Sequence, residues 1–212
     1  MMMKYWLIIL VLCGAFINAQ AQKDPKAKVV LDKVANATKS FSSMDIAFSF
    51  ALTNEEEGLN DEYEGKVQVK GLKYKLSMMG AETYFDGKAI YTYLPDAGEV
   101  NIDNPSESME QMLNPSKLFT IYEEGFDYKW LKKEGANTIV ELIPTTDERN
   151  FKKVILTINE AKKQLVGAKL FSKDGNTYII TVKSFTSNKA YDDTYFTFDT
   201  KKHADVYVND MR

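Results

Sequence analysis

Between residues 44 and 53 apolar and polar side chains alternate cleanly. Ile46, Phe48, Phe50 and Leu52 share one side, and Asp45, Ala47, Ser49, Ala51 and Thr53 share the other. A period of two marks a strand with one buried face. The period returns at Tyr63, Gly65, Val67 and Val69, breaks at Gly71, and resumes at Tyr74, Leu76 and Met78. Residues 84–102 then read as three short strands joined by two tight turns. Asp86-Gly87 suits a hairpin because glycine takes positive φ at no cost, and Pro95-Asp96-Ala97-Gly98 supplies the second turn. Further strands are predicted at 126–132, 138–143, 153–158, 165–171, 178–185 and 195–198, with turn signals at Glu134-Gly135, Asn159-Glu160 and Asp174-Gly175-Asn176. Strands at this even spacing predict an antiparallel up-and-down sheet large enough to curl toward a barrel.

Two stretches depart from the β pattern. Asp24-Pro25 is an N-cap followed by proline at the first helical position. Val30, Leu31, Val34, Ala37 and Phe41 follow at helical spacing, opposite Lys26, Lys28, Asp32, Lys33 and Lys39. This predicts an amphipathic helix of about four turns whose apolar stripe needs a sheet to bury against. The second departure begins at Asn104-Pro105-Ser106-Glu107, a cap with the glutamate of a capping box. A short helix with Met109, Met112 and Leu113 is expected there. Asn114-Pro115 restarts a second one with Leu118, Phe119, Ile121 and Tyr122, ending near Gly125.

The N-terminus bears on the compartment. Lys4 precedes an apolar run over residues 5–16, too short to span a bilayer comfortably, and Ala19-Gln20-Ala21 fits a small-x-small cleavage site. Residues 1–21 read as a cleaved secretory signal peptide, with an uncleaved anchor as the alternative, and residues 22–212 as one domain. Leu12 before Cys13 does not fit lipid attachment at that cysteine, so the mature chain is expected to lack cysteine. The full chain carries 27 basic and 30 acidic residues, a formal charge of -3. Without Lys4 the balance is -4, which argues against a nucleic-acid partner.

Chemistry is sparse. The single histidine, His203, lies in a charged segment and reads as a solvated surface residue. There is no Gly-x-Ser-x-Gly elbow, no phosphate-binding glycine loop, and too few histidines and cysteines for a zinc site. The pairs Asp192-Asp193 and Glu123-Glu124 are adjacent in sequence and point different ways. No catalytic residue, metal or cofactor is assigned, and the protein is not read as an enzyme. What remains is a large aromatic surface: Phe48, Phe50, Tyr63, Tyr74, Met78, Tyr91, Tyr93, Phe196 and Phe198 are all placed inward. Two readings stay open for it, a plain core packed by the helix or the wall of a ligand cavity. Methionine is flexible and polarizable, so the Met-rich insert suits a surface that re-packs around variable guests.

The order of these parts resembles a known family. A signal peptide and amphipathic helix lead to a strand ending Phe48-x-Phe50 and a glycine-started strand with Val67-x-Val69-Lys70. Asp86-Gly87-Lys88 follows with Tyr93-x-Pro95 and Glu99-Val100, and the chain closes on Phe196-x-Phe198 and Asp205-Val206. Over residues 25–208 this is similar to the periplasmic lipoprotein carriers of the LolA family. The resemblance implies a mainly β (α+β) fold: an unclosed antiparallel β-barrel, a half-barrel, whose concave face is covered by the N-terminal helix and a helical lid at 104–122. It implies lipoprotein acyl chains as ligand, an inner-membrane ABC transporter and an outer-membrane acceptor lipoprotein as partners, and the periplasm as location. A monomer is expected. The expected lipid-binding residues are Phe48, Phe50, Tyr74, Leu76, Met78, Tyr91 and Tyr93 on the sheet, and Met109, Met112, Leu113, Leu118 and Phe119 on the cover. Two features depart from the family. Its Arg-Pro latch after the Val-x-Val-Lys strand is replaced by Gly71-Leu72, leaving Lys70 or Lys73 as the nearest substitutes, and the Pro-x-Gly after the closing Phe-x-Phe is absent. The alternative function is a sensor or scaffold that binds a protein partner with the same half-barrel.

Overall fold

A computed structural model describes residues 23–105 and 120–212; the leader and the residues expected to carry most of the cover (106–119) lie outside the described residues. Asp24 starts the first element, α1 (Pro25–Ser40), accepting from the Lys26 amide at 2.8 Å. Proline at the next position gives up no helical bond, since that amide has no partner within the helix. The helix stops at Phe41, which turns extended. Its buried stripe is Ala27, Val30, Leu31, Val34 and Ala35, close to the predicted one. Among the described residues α1 is the only α-helix.

Among the described residues, twelve strands form one sheet. They are β1 (Met44–Asn54), β2 (Leu59–Lys70), β3 (Lys73–Met78), β4 (Ala81–Phe85), β5 (Ile90–Leu94), β6 (Glu99–Asp103), β7 (Phe126–Glu134), β8 (Asn137–Pro144), β9 (Phe151–Asn159), β10 (Gln164–Ser172), β11 (Thr177–Ser187) and β12 (Tyr207–Asp210). The order is β12-β6-β5-β4-β3-β2-β1-β11-β10-β9-β8-β7. Two meanders, β2 to β6 and β7 to β11, thus flank β1, which pairs with both. All neighbours are antiparallel except β12, which runs parallel to β6. The edges, β12 and β7, do not pair with each other, so the sheet is large, mostly antiparallel and unclosed. A twisted sheet of this many strands curls, and bulges at Ala47/Phe48, Leu165/Gly167 and Trp130/Lys132 add local bends.

Register sorts the side chains onto two faces. On the inner face, the side of α1, the helix stripe packs over Tyr128, Val140, Leu142, Val154, Leu156 and Ile158. The inner face continues through Phe48, Ile46 and Met44 to Val67, Val69, Tyr74, Phe85 and Ile90. The outer face is polar over most of its area. At β4 to β6 it is apolar, and there residues 188–206 cross it as a strap. Phe198 packs on Tyr84 and Val100, with Tyr91, Tyr93 and Val206 around them.

The strap corrects several expectations. Residues 195–198 are not a strand: Asp193–Phe196 is a single 3-10 turn, capped by Asp192, whose carboxylate accepts from the Thr194 amide at 2.9 Å. The strand that closes the chain is β12, which lacked an alternating pattern. Phe196 and Phe198 lie on the outer face rather than inward. His203 is not a solvated surface residue; it stacks on Phe198 with ring centroids 4.7 Å apart. The adjacent carboxylates do diverge: Asp192 caps the turn, while Asp193 takes Lys70 at 2.7 Å and Lys73 at 2.8 Å. Those two lysines therefore hold the strap on the outer face and are turned away from any inner-face latch.

Candidate functional site

The inner face is built from cross-strand rows. Met44, Val69 and Tyr74 form one row, then Ile46, Val67 and Leu76, then Phe48, Gly65 and Met78. On the other side of β1, Phe48 faces Val182, Phe50 faces Ile180 and Leu52 faces Tyr178. Inner positions of β1, β3, β4, β5 and β11 carry no charged residue. Five expected wall residues are therefore brought together: Phe48, Phe50, Tyr74, Leu76 and Met78.

Tyr91 and Tyr93 are not on this wall. Phe85 pairs with Ile90 across the four-residue β4–β5 turn, so these two share the inner face with Tyr74. Tyr91 then faces Tyr84 and Ile102, and Tyr93 faces Glu82 and Val100, all on the outer side. Tyr93 meets the strap instead, with its ring 5.0 Å from that of Phe198. The expected cover residues Met109, Met112, Leu113, Leu118 and Phe119 lie outside the described residues. Of the second expected cover helix, Ile121–Glu123 is a single 3-10 turn. Its Tyr122 is buried and donates to Asp32 of α1 at 2.9 Å.

Burial along the wall is graded. At the end carrying the β2–β3 and β4–β5 turns, Met44, Ile46, Val69, Tyr74 (2% exposed), Phe85 and Ile90 are buried. Toward the end carrying the β1–β2 and β3–β4 turns, Phe50, Leu52, Tyr63, Leu76, Met78, Tyr178 and Ile180 are only half-buried. The open end is thus a charge-poor apolar mouth with aromatic and Met side chains. A cleft of about 140 Å³ sits at the opposite end, between the α1 C-terminus and Ser43, Met44, Val69 and Gly71. It is well below the roughly 300–1,000 Å³ of a typical small-molecule site, so the half-buried end, not this cleft, offers room for a large apolar ligand.

Phe48 lies deep in the wall at 8% exposure, its ring laid across the backbone of Gly65. A Cβ on Gly65 would stand 2.4 Å from Phe48 Cζ, so only glycine admits this ring position. Sequence reading placed Gly65 inward but saw no role for it. It also left Ile180 and Val182 unassigned, although Tyr178, Ile180 and Val182 alternate like the named strands.

The ionic groups stand behind the wall. Burial pushes the Asp45 carboxyl up, but hydrogen bonds from Tyr191, Gln68 and Lys189 outweigh it, and Asp45 ends below the ordinary carboxylate range. Glu82 behaves alike: burial opposes, while Tyr84 and Lys75 lower it. In turn, burial and the Glu82 carboxylate raise the Tyr84 hydroxyl well above its usual value. These groups fasten the strap and the outer face and do not reach the mouth.

The family model described as outer membrane lipoprotein carrier protein LolA matches residues 17–176. The chain belongs to the LolA family. That description is of a carrier and not of a catalyst. A comparison with curated proteins gave no match. Among solved structures, an uncharacterized conserved protein from Thermus thermophilus aligns at 12% identity with a TM-score of 0.57, covering 87% of this chain and 99% of that one. The Mycobacterium tuberculosis lipoprotein LppX aligns at 16% identity and TM-score 0.50, covering 80% and 98%. A LolA superfamily protein from Nitrosomonas europaea aligns at 13% identity and TM-score 0.46, covering 82% and 98%. At such identities the likeness is one of fold alone. The matched residues end just before β11, so β11, the strap and β12 lie beyond them.

Proposed function

We propose that this LolA-family protein is a periplasmic carrier that holds lipoprotein acyl chains against the inner face. It would take them from an inner-membrane ABC transporter and pass them to an outer-membrane acceptor lipoprotein. The observation that supports this best is the graded wall: one continuous, charge-poor apolar face, with Asp61 opposite Leu52 at its rim, buried at one end and half-buried at the other. A plain core would have little reason to leave Phe50, Leu52, Leu76, Met78 and Ile180 together at an opening. An acyl chain laid there gains about 0.8 kcal/mol per buried methylene. Because the contacts are many and weak, and Met78 adapts its shape, the cargo can be held without any single contact preventing release.

The test is direct. Lipid is extracted from protein purified from its own envelope, and the stripped protein is titrated with a fluorescent fatty-acid analogue. The carrier reading expects bound acyl species near one-to-one and saturable uptake of the probe. Met78→Asp, which puts a charge in the half-buried row, should weaken uptake on the order of tenfold while the β spectrum is retained. Protein that carries no lipid and takes up no probe would turn the reading toward a sensor or scaffold that binds a protein partner.

A further inference from the structure

We infer that the corner where α1 meets edge strand β7 is a contact surface for an anionic lipid bilayer. This surface is separate from the apolar mouth and does not depend on the carrier reading. Trp130 lies on the inner side of β7, half-buried, with Lys26 Nζ 4.4 Å from its ring centroid. Lys23 reaches toward the neighbouring Tyr128 ring at 6.0 Å. Lys129, Lys132 and Lys133, all exposed, follow on the same strand. By register Lys133 shares the inner side with Trp130, whereas Lys129, opposite Glu141, and Lys132, opposite Ile139, lie on the outer side, so in a chain of net negative charge five lysines line the two sides of this one edge. The acidic groups facing them are largely engaged. Asp24 accepts from the Lys26 and Trp130 amides, Glu141, opposite Lys129, pairs with Lys153 at 3.1 Å, Asp127 is half-buried, and Glu134 takes up one of the five lysines, Lys132, at 2.5 Å.

The patch also has apolar points. Trp130 pairs with Val140 and Lys132 with Ile139, so Leu131 is the extra residue of a bulge, without a ladder partner, and 37% exposed. Val29, one helical turn after Lys26, is 54% exposed. Lysines alone on an edge strand guard against pairing with another sheet. That role does not account for Leu131 turned outward among them, nor for Lys23 and Lys26 on either side of the helix cap. Basic side chains around an indole, with protruding aliphatic tips, match the headgroup zone of a bilayer: lysines meet anionic lipids, tryptophan prefers the interface, and Leu131 and Val29 dip below it.

Flotation of the purified protein with vesicles of equal phosphatidylglycerol and phosphatidylcholine, compared with pure phosphatidylcholine, tests this. Binding is expected only with phosphatidylglycerol and is expected to fall steeply as salt rises. Lys129→Gln/Lys132→Gln/Lys133→Gln should weaken it by tenfold to about a hundredfold, on roughly fivefold per lysine. Leu131→Asp should weaken it with the lysines intact, and serves alone if the triple variant loses its β spectrum. No binding to either vesicle, equal binding to both, or unchanged binding by these variants would overturn the inference and leave the lysines as edge guards. Uptake of a fatty-acid probe at the mouth should be the same in all these proteins, so failure here leaves the carrier reading standing.

Discussion

Gly65→Ala is a severe change for a single methyl group. The new Cβ would stand 2.4 Å from Phe48 Cζ, 2.7 Å from Cε2 and 3.0 Å from Cε1. Carbon atoms in contact prefer about 3.5–4.0 Å, so the ring must move by about 1 Å or more. It has little space to do so, since Phe48 is buried and Met78 and Val182 flank it in register. Overpacking of this kind costs about 1–3 kcal/mol, and alanine returns about 0.5–1 kcal/mol through lost chain freedom. A net loss of about 1–2 kcal/mol lowers the Tm of a domain this size by about 2–8 °C. The assay is thermal and urea unfolding of wild type, Gly65→Ala, Phe48→Leu and the double variant. Phe48→Leu alone removes buried ring area, yet it also removes the colliding atoms. The double variant should therefore be more stable than additivity predicts, by about 0.5 kcal/mol or more. A Gly65→Ala protein as stable as wild type, or strict additivity, would refute the claim that the glycine exists to seat the ring.

Three further outcomes are expected. Met79 holds φ 55° in the β3–β4 turn and is 58% exposed, so Met79→Gly should raise stability by about 1 kcal/mol; an unchanged or lower Tm would remove the strain argument. Asp24 caps α1 through one carboxylate oxygen and takes the Trp130 amide at 3.0 Å through the other, so Asp24→Ala should lower Tm and Asp24→Asn, which keeps an acceptor, should lower it less; equal Tm for wild type and Asp24→Ala would remove the cap from the account. Lys70 and Lys73 hold the Asp193 carboxyl down to about 2 from an ordinary 3.8. Its contribution is thus complete above the unfolded value and drains away as pH falls through about 2, so acid unfolding of Asp193→Asn should lack the part of the pH dependence that wild type shows below about pH 4.

Alternation read the strands well wherever one face meets the core. Met44 to Thr53 is the clearest case, and its inward set is the one found. It failed where both faces are apolar. Tyr91 and Tyr93 look like cavity residues, but the Phe85–Ile90 pairing puts them on the outer side, where the strap covers them. No period-two rule can choose between faces when each has its own cover. Phe196-x-Phe198 mimicked a strand because its aromatics are spaced by two, whereas Asp192 winds the segment into a turn. β12 was missed for the opposite reason: Tyr207-Val208-Asn209-Asp210 has little pattern of its own and is held by distant β6, with Tyr207 N–H on Gly98 O at 2.8 Å. Gly65 was legible as an inward glycine, but its purpose depends on a ring supplied by the adjacent strand.

The place of β1 between the two meanders has a consequence for how the chain is made. Each meander closes through neighbouring hairpins, whereas the β1–β11 ladder joins Phe48 to Val182 and cannot form until nearly all of the polypeptide is available. During vectorial emergence the first half presents β1 as a raw edge with Phe48, Phe50 and Leu52 on it, a template for pairing with any other extended strand. The seam between β1 and β11 therefore zips late, followed only by the short β12 on β6, and is the place where misassembly begins. A holding factor during biogenesis has most to gain by covering that edge.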